Sequence, residues 1–136
     1  MTGQALASKL QGLGIAATRQ RLRIAGVMLA APQHLSADQV LAEVNRHGSS
    51  VSKATVYNTL RLFTQRGLLR EVIVDPNRVF YDSTIHAHHH FYNPATGELI
   101  DIPADQLRVS GLPETPAGTE AAEVEVIVRL RECVSA

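Results

Sequence analysis

Residues 52–67 carry the clearest structural pattern in the chain, and they read Ser52-Lys-Ala-Thr-Val-Tyr-Asn-Thr-Leu-Arg-Leu-Phe-Thr-Gln-Arg-Gly67. Apolar side chains recur at Val56, Leu60 and Phe63, the i, i+4, i+7 spacing that places them on one face of a helix. Ser52 is a favourable N-cap and Gly67 a favourable C-terminal stop. The stretch therefore predicts a helix that buries one face and exposes a polar one.

Helical signals also mark three shorter segments before this helix, the first of them near the start of the chain. The second begins after Thr18, a plausible N-cap, and is stopped by Pro32. The third opens with Ser36-Ala-Asp-Gln, a capping-box pattern, and closes at Gly48. We expect four helices in the first half of the chain.

Two strands are expected next, at Leu68–Val74 and Arg78–Tyr81, because Asp75-Pro-Asn between them is typical of a turn. Helices followed by a strand hairpin give the order of a winged helix. In that arrangement the last helix lies in the major groove of DNA and the hairpin contacts flanking phosphates.

The polar face of the helix that begins after Ser52 suits nucleic acid. The residues expected to contact DNA are Lys53, Thr55, Tyr57, Asn58 and Arg61, joined by Arg19 and Arg21 at the start of the second helix. A solvated polar face would explain any one of these residues. As a set opposite a clean apolar stripe, they favour DNA.

The charge is divided between the two halves of the chain. Residues 1–82 contain ten Lys/Arg and five Asp/Glu, a balance of +5, whereas residues 83–136 contain three and eight, a balance of −5. A basic first half suits a polyanion and an acidic second half does not.

The composition bounds the class of protein. The chain has 136 residues, 45% of them hydrophobic, with a mean hydropathy of −0.01, which is typical of a folded soluble protein. We find neither a charged and apolar leader nor a membrane-spanning run, so we expect a cytoplasmic protein that does not enter a membrane. The single cysteine, Cys133, excludes an internal disulfide.

Histidines dominate the centre of the second half. In a strand, His86, His88 and His90 would point to one side, and side chains two residues apart can converge on one ion. Asp82 lies just upstream, and Asp101 ends the apolar stretch expected to form the partner strand. Imidazole and carboxylate ligands together suit Fe2+, Mn2+ or Zn2+ better than Ca2+ or Mg2+.

The end of the chain predicts a dimer. Glu123–Leu130 alternates like a strand, with Val124, Val126 and Val128 on one face, and residues 103–110 could form a short helix. A sheet of two or three strands is barely stable alone, so we expect a homodimer, which would also match a palindromic DNA site.

Together these patterns predict an α+β protein with an N-terminal winged helix followed by a small α/β dimerisation domain. The expected boundaries are residues 1–82 for the DNA-binding domain and residues 83–136 for the metal-binding and dimerisation domain.

The segment Val51-Ser-Lys-Ala-Thr-Val-Tyr-Asn-Thr-Leu resembles the ferric uptake regulator (Fur) family of metal-responsive repressors, with His34-Leu-Ser-Ala-Asp before it and His88-His-His after it. The resemblance runs from about residue 6 to residue 130. Within the family the chain is most similar to the iron response regulator (Irr) branch. The stretches with that character are Phe80-Tyr-Asp, the histidine triplet, Asp101-Ile-Pro, Gly111-Leu-Pro and Val126-Ile-Val-Arg-Leu.

The resemblance implies a regulatory metal site formed by His34, Asp82, His88, His90 and Asp101. It also implies a function: a metal- or haem-responsive transcriptional regulator of iron homeostasis that binds palindromic promoter DNA as a homodimer. Metal bound by residues of both halves would fix the angle between them and hence the spacing of the two recognition helices.

The family also has a second site, which the resemblance places at His89 and Glu123, and the cluster around His86 and His89 could supply an axial nitrogen to haem. Most members hold a structural four-cysteine zinc. Asn93 and Thr96 stand at the first cysteine pair here, so that zinc site is excluded.

Two alternatives stay open. Family members that sense peroxide use iron in a site with two aspartates, and both Asp82 and Asp101 are present, so a peroxide-sensing repressor is one. A metal-dependent hydrolase built on His88, His90 and Asp101 is the other, but it has no separate general acid or base and leaves the helix after Ser52 without a role. We therefore expect a regulator and no enzymatic activity.

Overall fold

The computed structural model describes residues 2–48, 50–86 and 88–134. Two compact units make up the chain, Met1–Ile85 and His86–Ala136. The sequence placed the boundary three residues earlier, after residue 82.

Four helices lie in the described part of the first unit. They are α1 (Gly3–Gly12), α2 (Arg19–Met28), α3 (Ala37–Val44) and α4 (Lys53–Gln65). A Ser or Thr caps each one: in α2 the Thr18 hydroxyl accepts the Arg21 N–H, and Ser36 and Gln39 form the predicted capping box at α3. The expected caps are confirmed, although α2 and α3 each end four residues before the residue predicted to stop them.

The core of the first unit is built on α4. Val56, Leu60 and Phe63 are fully buried, which confirms the i, i+4, i+7 stripe. Packed around them are buried residues from all the other helices and from the loops, including Leu10, Ile15, Ile24, Met28, Val40, Val51, Leu68 and Leu69. Burial of this stripe fixes which face of α4 is left to solvent.

A three-stranded antiparallel sheet completes the first unit. Its strands are β1 (His34–Ser36), β2 (Arg70–Asp75) and β3 (Arg78–Asp82), in the order β1-β3-β2. The hairpin was expected, but β1 was not, because a three-residue strand has no periodicity of its own and exists only through pairing with β3.

The second unit contains a smaller sheet. Its strands are β4 (His89–Asn93), β5 (Glu98–Ile102) and β6 (Ile127–Arg129), with β4 in the centre, antiparallel to β5 and parallel to β6. The tight turn between β4 and β5 is closed by a bond from the Gly97 N–H to the Asn93 carbonyl (2.8 Å), and Gly97 takes a positive φ of 75°.

Three expectations for the second unit were wrong. Residues 103–110 form a turn and irregular chain rather than a helix, because Leu107 and Val109 are two residues apart and offer no helical face. Of the predicted Glu123–Leu130 strand, the structure forms a strand only at Ile127–Arg129, with single backbone bonds from Val126 and Leu130 to β4 on either side. The strand expected to include His86 and His88 begins at residue 89.

One face of the second sheet carries a row of apolar side chains. The register sets Phe91 opposite Ile100 on β5 and Val128 on β6. Phe91 and Val128 are half-buried and Ile100 is exposed, whereas Tyr92 and Leu99, which point the other way, are buried. The row Phe91, Ile100 and Val128 is therefore available for contact with another surface.

None of the helices among the described residues combines the length and the apolarity that crossing a membrane requires.

We predict that Phe63→Ala lowers the free energy of unfolding by about 3–5 kcal/mol, because the ring is fully buried and its removal leaves a cavity in the core. Urea unfolding followed by circular dichroism measures this loss. Gln65→Ala, at an exposed position of the same helix, is the control and should change stability by less than about 0.5 kcal/mol. Equal stability of the two variants would contradict the assignment of Phe63 to the core.

Candidate metal centre and nucleic-acid interface

Three potential metal ligands converge in the second unit. Asp101 Oδ1 lies 3.2 Å from His88 Nε2 and 3.1 Å from His90 Nε2, and the ligand atoms of the three residues all lie within 4.8 Å of one another. The β4–β5 register brings Asp101 directly opposite His90, while His88 just precedes β4. The sequence placed these three residues together, and the structure does so as well.

The distances and the donor types fit a divalent ion. Two ligand atoms about 2.0–2.2 Å from one ion are themselves about 3.0–3.5 Å apart, which matches the nitrogen–oxygen separations at Asp101. Two imidazoles and one carboxylate form a mixed N/O set suited to Zn2+, Fe2+ or Mn2+. The set leaves room for further ligands.

A backbone contact fixes the tautomer of His88. Its Nδ1 lies 3.0 Å from the carbonyl oxygen of His86, and a carbonyl can only accept, so Nδ1 carries the proton. The lone pair of the neutral ring is then on Nε2, the atom that faces Asp101. The side chain of His88 is 13% exposed, so its contact with the His86 carbonyl is largely shielded from water.

Two further predicted ligands are neighbours in the first unit. The β1–β3 register sets His34 directly across from Asp82, and Asp82 is 2% exposed. Asp82 Oδ1 accepts the Thr84 N–H at 2.8 Å, and Arg70 occupies the matching position on the other side, in β2. Sequence patterns could not place His34 beside Asp82, because that neighbourhood depends on the unpredicted strand β1.

The residues predicted for a second metal or haem site are not brought together as a ligand set. The Nδ1 atom of His89 accepts the Val126 N–H at 2.9 Å, so in the neutral ring the proton is on Nε2 and neither nitrogen offers a free lone pair. His86 and Glu123 are exposed. Haem therefore finds no support in this geometry, and the second site stays a prediction.

Sequence reasoning missed one acid of the second unit, Glu125. Its Oε1 lies 3.9 Å from His90 Nδ1 and its side chain is 23% exposed. The alternating pattern put Glu123 and Glu125 on the same face and offered no way to choose between them. The resemblance favoured Glu123, whereas the structure places Glu125 beside a candidate ligand.

The residues predicted to contact DNA lie on the solvent side of the first unit. Lys53, Tyr57, Asn58 and Arg61 are exposed and Thr55 is half-buried, all opposite the apolar stripe of α4. A cleft of about 490 Å³ joins the start of α2 to α4. It is lined by Thr18, Arg19, Gln20, Arg21, Thr55, Asn58 and Thr59.

A second cleft, of about 520 Å³, runs from α4 towards the hairpin and is lined in part by Tyr57, Asp38 and Arg78. The Tyr57 hydroxyl donates to Asp38 Oδ1 at 3.5 Å, and Lys53 Nζ lies 4.0 Å from the same oxygen. Lys53 Nζ is also 5.7 Å from the centre of the Tyr57 ring. Asp38, which sequence reasoning did not select, thus contacts two of the predicted DNA-binding residues.

Tyr81 lines the same cleft. Burial raises the pKa of its hydroxyl, the charges of Glu71 and Tyr57 raise this pKa further, and Arg61 opposes the shift. The group is therefore protonated at neutral pH and available as a hydrogen-bond donor.

Comparison with known proteins identifies relatives of this chain. A model of the ferric uptake regulator family matches residues 12–126. The peroxide-responsive repressor PerR of Staphylococcus aureus (strain Mu50) is 29% identical over 100 residues, which make up 74% of this chain and 68% of the relative.

Solved structures show the same fold. The ferric uptake regulator of Pseudomonas aeruginosa with manganese has a TM-score of 0.69 at 25% identity, over 92% of this chain and 96% of that one. The ferric uptake regulator of Vibrio cholerae has a TM-score of 0.70 at 21% identity, over 90% and 96%, which shows the fold alone. The predicted α+β class is confirmed.

We predict that Asp101→Asn weakens Zn2+ binding by about tenfold or more, because an amide oxygen is a poorer ligand than a carboxylate and Asp101 faces both imidazoles. Competition with a chromophoric chelator measures the affinity. Asp101 is 61% exposed, so the variant should fold. Asp105→Asn, in the exposed turn that follows, is the matched control, and equal affinity of the two variants would remove Asp101 from the ligand set.

Proposed function

Because this chain belongs to the ferric uptake regulator family, we propose that it is a metal-responsive transcription regulator that binds promoter DNA as a homodimer. The observation that carries the proposal is the convergence of His88, His90 and Asp101 on one point. The donor set fits a divalent ion, and the polar face of α4 gives the same chain a surface suited to DNA.

We place His34 and Asp82 in the same regulatory site, as the resemblance implies. The register that sets these two residues side by side supports this, because the first unit then offers an imidazole and a carboxylate as a ready pair. A metal bound by His34 and Asp82 as well as by the ligands of the second unit would limit the orientations open to the DNA-binding unit. Binding of the ion would thereby be coupled to binding of DNA.

The proposed DNA contacts use two parts of the first unit. Arg19 and Arg21 at the start of α2 would bind phosphates, and Tyr57 and Asn58 on α4 would reach base edges. Lys53, Thr55 and Arg61 extend the same surface. The basic balance of residues 1–82 supports a polyanionic partner.

The homodimer is proposed from the second sheet. Three strands with a partly exposed apolar row of Phe91, Ile100 and Val128 would be stabilised by a second copy packed on that row. A two-fold dimer presents two copies of α4 to DNA, which matches a palindromic site. Action on promoter DNA places the protein in the cytoplasm.

The finer assignment is to the iron response regulator branch, with control of iron homeostasis, and it rests on the stretches Phe80-Tyr-Asp, Asp101-Ile-Pro and Val126-Ile-Val-Arg-Leu. Fe2+, Mn2+ or Zn2+ is the proposed ion. Haem is not part of this proposal and is included only as a parallel condition in the DNA-binding test below.

A peroxide-sensing repressor of the same family is the second candidate. It is favoured by the similarity to the staphylococcal PerR and by the two aspartates Asp82 and Asp101. Treatment of the Fe2+-loaded protein with hydrogen peroxide separates the candidates. Loss of DNA binding together with the gain of one oxygen atom on a ligand histidine, read by mass spectrometry, would select the peroxide sensor.

We predict that Mn2+ or Fe2+ changes the affinity of the protein for a palindromic A·T-rich promoter fragment by about 5-fold to 150-fold, the range of ordinary coupling between two sites. Fluorescence anisotropy at several salt concentrations measures the binding, with haem as a parallel arm. Asp101→Asn should bind DNA as the metal-free protein does and lose the response. Salt-insensitive binding in every condition would leave the α4 face without a function.

We predict that Tyr57→Ala weakens specific promoter binding by about tenfold or more, since a contact with a base edge contributes about 1–3 kcal/mol of discrimination. The fold should persist, because Tyr57 is 36% exposed. The same anisotropy assay reports the loss. Gln65→Ala, exposed near the end of α4, is the control, and unchanged promoter affinity of Tyr57→Ala would disprove the assignment of α4 as the reading helix.

A further inference from the structure

A carboxylate faces each of the two ring nitrogens of His90. The ring is fully buried, with Nε2 3.1 Å from Asp101 Oδ1 and Nδ1 3.9 Å from Glu125 Oε1. The two nitrogens of an imidazole point in different directions, so one ion cannot bind both. Glu125 therefore lies on the side of the ring turned away from the proposed ion.

Backbone contacts of Val126 hold Glu125 in this position. The Val126 N–H donates to His89 Nδ1 at 2.9 Å, and the Val126 carbonyl accepts the His90 N–H at 3.1 Å. The next residue, Ile127, pairs with His90 in the β4–β6 register. Because Val126 is held on both sides by the histidine segment, the residue just before it is kept beside His90.

A neutral imidazole has one proton and one free lone pair, and a metal requires the lone pair. His88 keeps its Nδ1 proton by donating to the carbonyl of His86, which leaves Nε2 for the ion. In His90 the carboxylate of Glu125 faces Nδ1 and can likewise keep the proton on that nitrogen, which leaves the Nε2 lone pair for the ion. The 3.9 Å between His90 Nδ1 and Glu125 Oε1 is longer than a hydrogen bond. A metal on one nitrogen makes the N–H on the other more acidic and a better donor to a carboxylate, so this separation should shorten on binding.

We propose that Glu125 is a positioning residue for the metal centre: its carboxylate holds the proton of His90 on Nδ1 and so keeps Nε2 available to a divalent ion. The proposal rests on the proposed function, since it needs His90 to be a ligand. It gives distinct roles to the neighbouring histidines, with His88 and His90 as ligands and His89 as an anchor for the chain that carries Glu125.

The test uses Zn2+ and the full chain. Glu125→Ala should weaken Zn2+ binding by about 10-fold to 100-fold, the usual effect of removing a hydrogen-bond partner of a ligating histidine. Glu125→Gln should recover part of the affinity, because its amide oxygen still accepts from Nδ1. Glu120→Gln, at an exposed position outside the sheet, is the charge-matched control and should bind like the parent chain.

A spectroscopic readout separates positioning from general destabilisation. In the Zn2+-loaded parent chain, long-range ¹H–¹⁵N spectra should show the His90 proton on Nδ1 and slow exchange of this proton with water. Glu125→Ala should accelerate the exchange, while circular dichroism shows the fold retained. An unchanged His90 signal together with unchanged Zn2+ affinity would overturn the role of Glu125.

The outcomes also distinguish this inference from the proposed function. If the parent chain fails to bind Zn2+, or if Asp101→Asn binds it as well as the parent chain does, the metal centre itself is wrong. If the parent chain binds and Asp101→Asn does not, while Glu125→Ala matches the parent, only the inference about Glu125 fails. Equal weakening by Glu125→Ala and Glu120→Gln would point to a general charge effect and would also overturn it.

Discussion

The register between β4 and β5 is the constraint on which the second unit depends. It sets His90 against Asp101 and Phe91 against Ile100, so one alignment determines both the metal ligands and the apolar row. A slip of one residue would exchange the two faces, with His90 and Tyr92 moving to the side that now carries Phe91. The tight turn closed at Gly97 helps to exclude that slip, because it fixes the number of residues between the strands.

In the first unit, α4 has a comparable role. Its buried stripe anchors the core and its opposite face carries the polar side chains. Packing of the stripe therefore determines which side chains of α4 face solvent. One acid, Asp38, and one cation, Lys53, lie beside Tyr57 on this polar face. Asp38 lies within reach of both Tyr57 and Lys53, which limits the orientations of two side chains that would otherwise move freely in solvent.

The sequence predicted the parts of the fold that local chemistry controls. The stripe of α4, the Thr18 and Ser36 caps and the hairpin of β2 and β3 depend on residues close together in the chain, and the structure confirms them. Strand β1 and the short β6 depend on distant partners, so local patterns could not locate them. The cluster of His88, His90 and Asp101 was predictable because these residues lie on adjacent segments joined by a short turn. The choice of Glu125 over Glu123 was not predictable, because it depends on how Val126 contacts the distant histidine segment.

The three converging ligands differ greatly in their access to water. His90 is fully buried and His88 nearly so, whereas the side chain of Asp101 is 61% exposed. Of the ligands that the second unit supplies to an ion, two would be shielded from water and one exposed, so water or a competing chelator would reach the ion from the Asp101 side. Exchange could then begin by replacement of a single carboxylate while both imidazoles stay in place. Such a centre would gain and lose its ion without unfolding, and its occupancy could follow the supply of free metal in both directions.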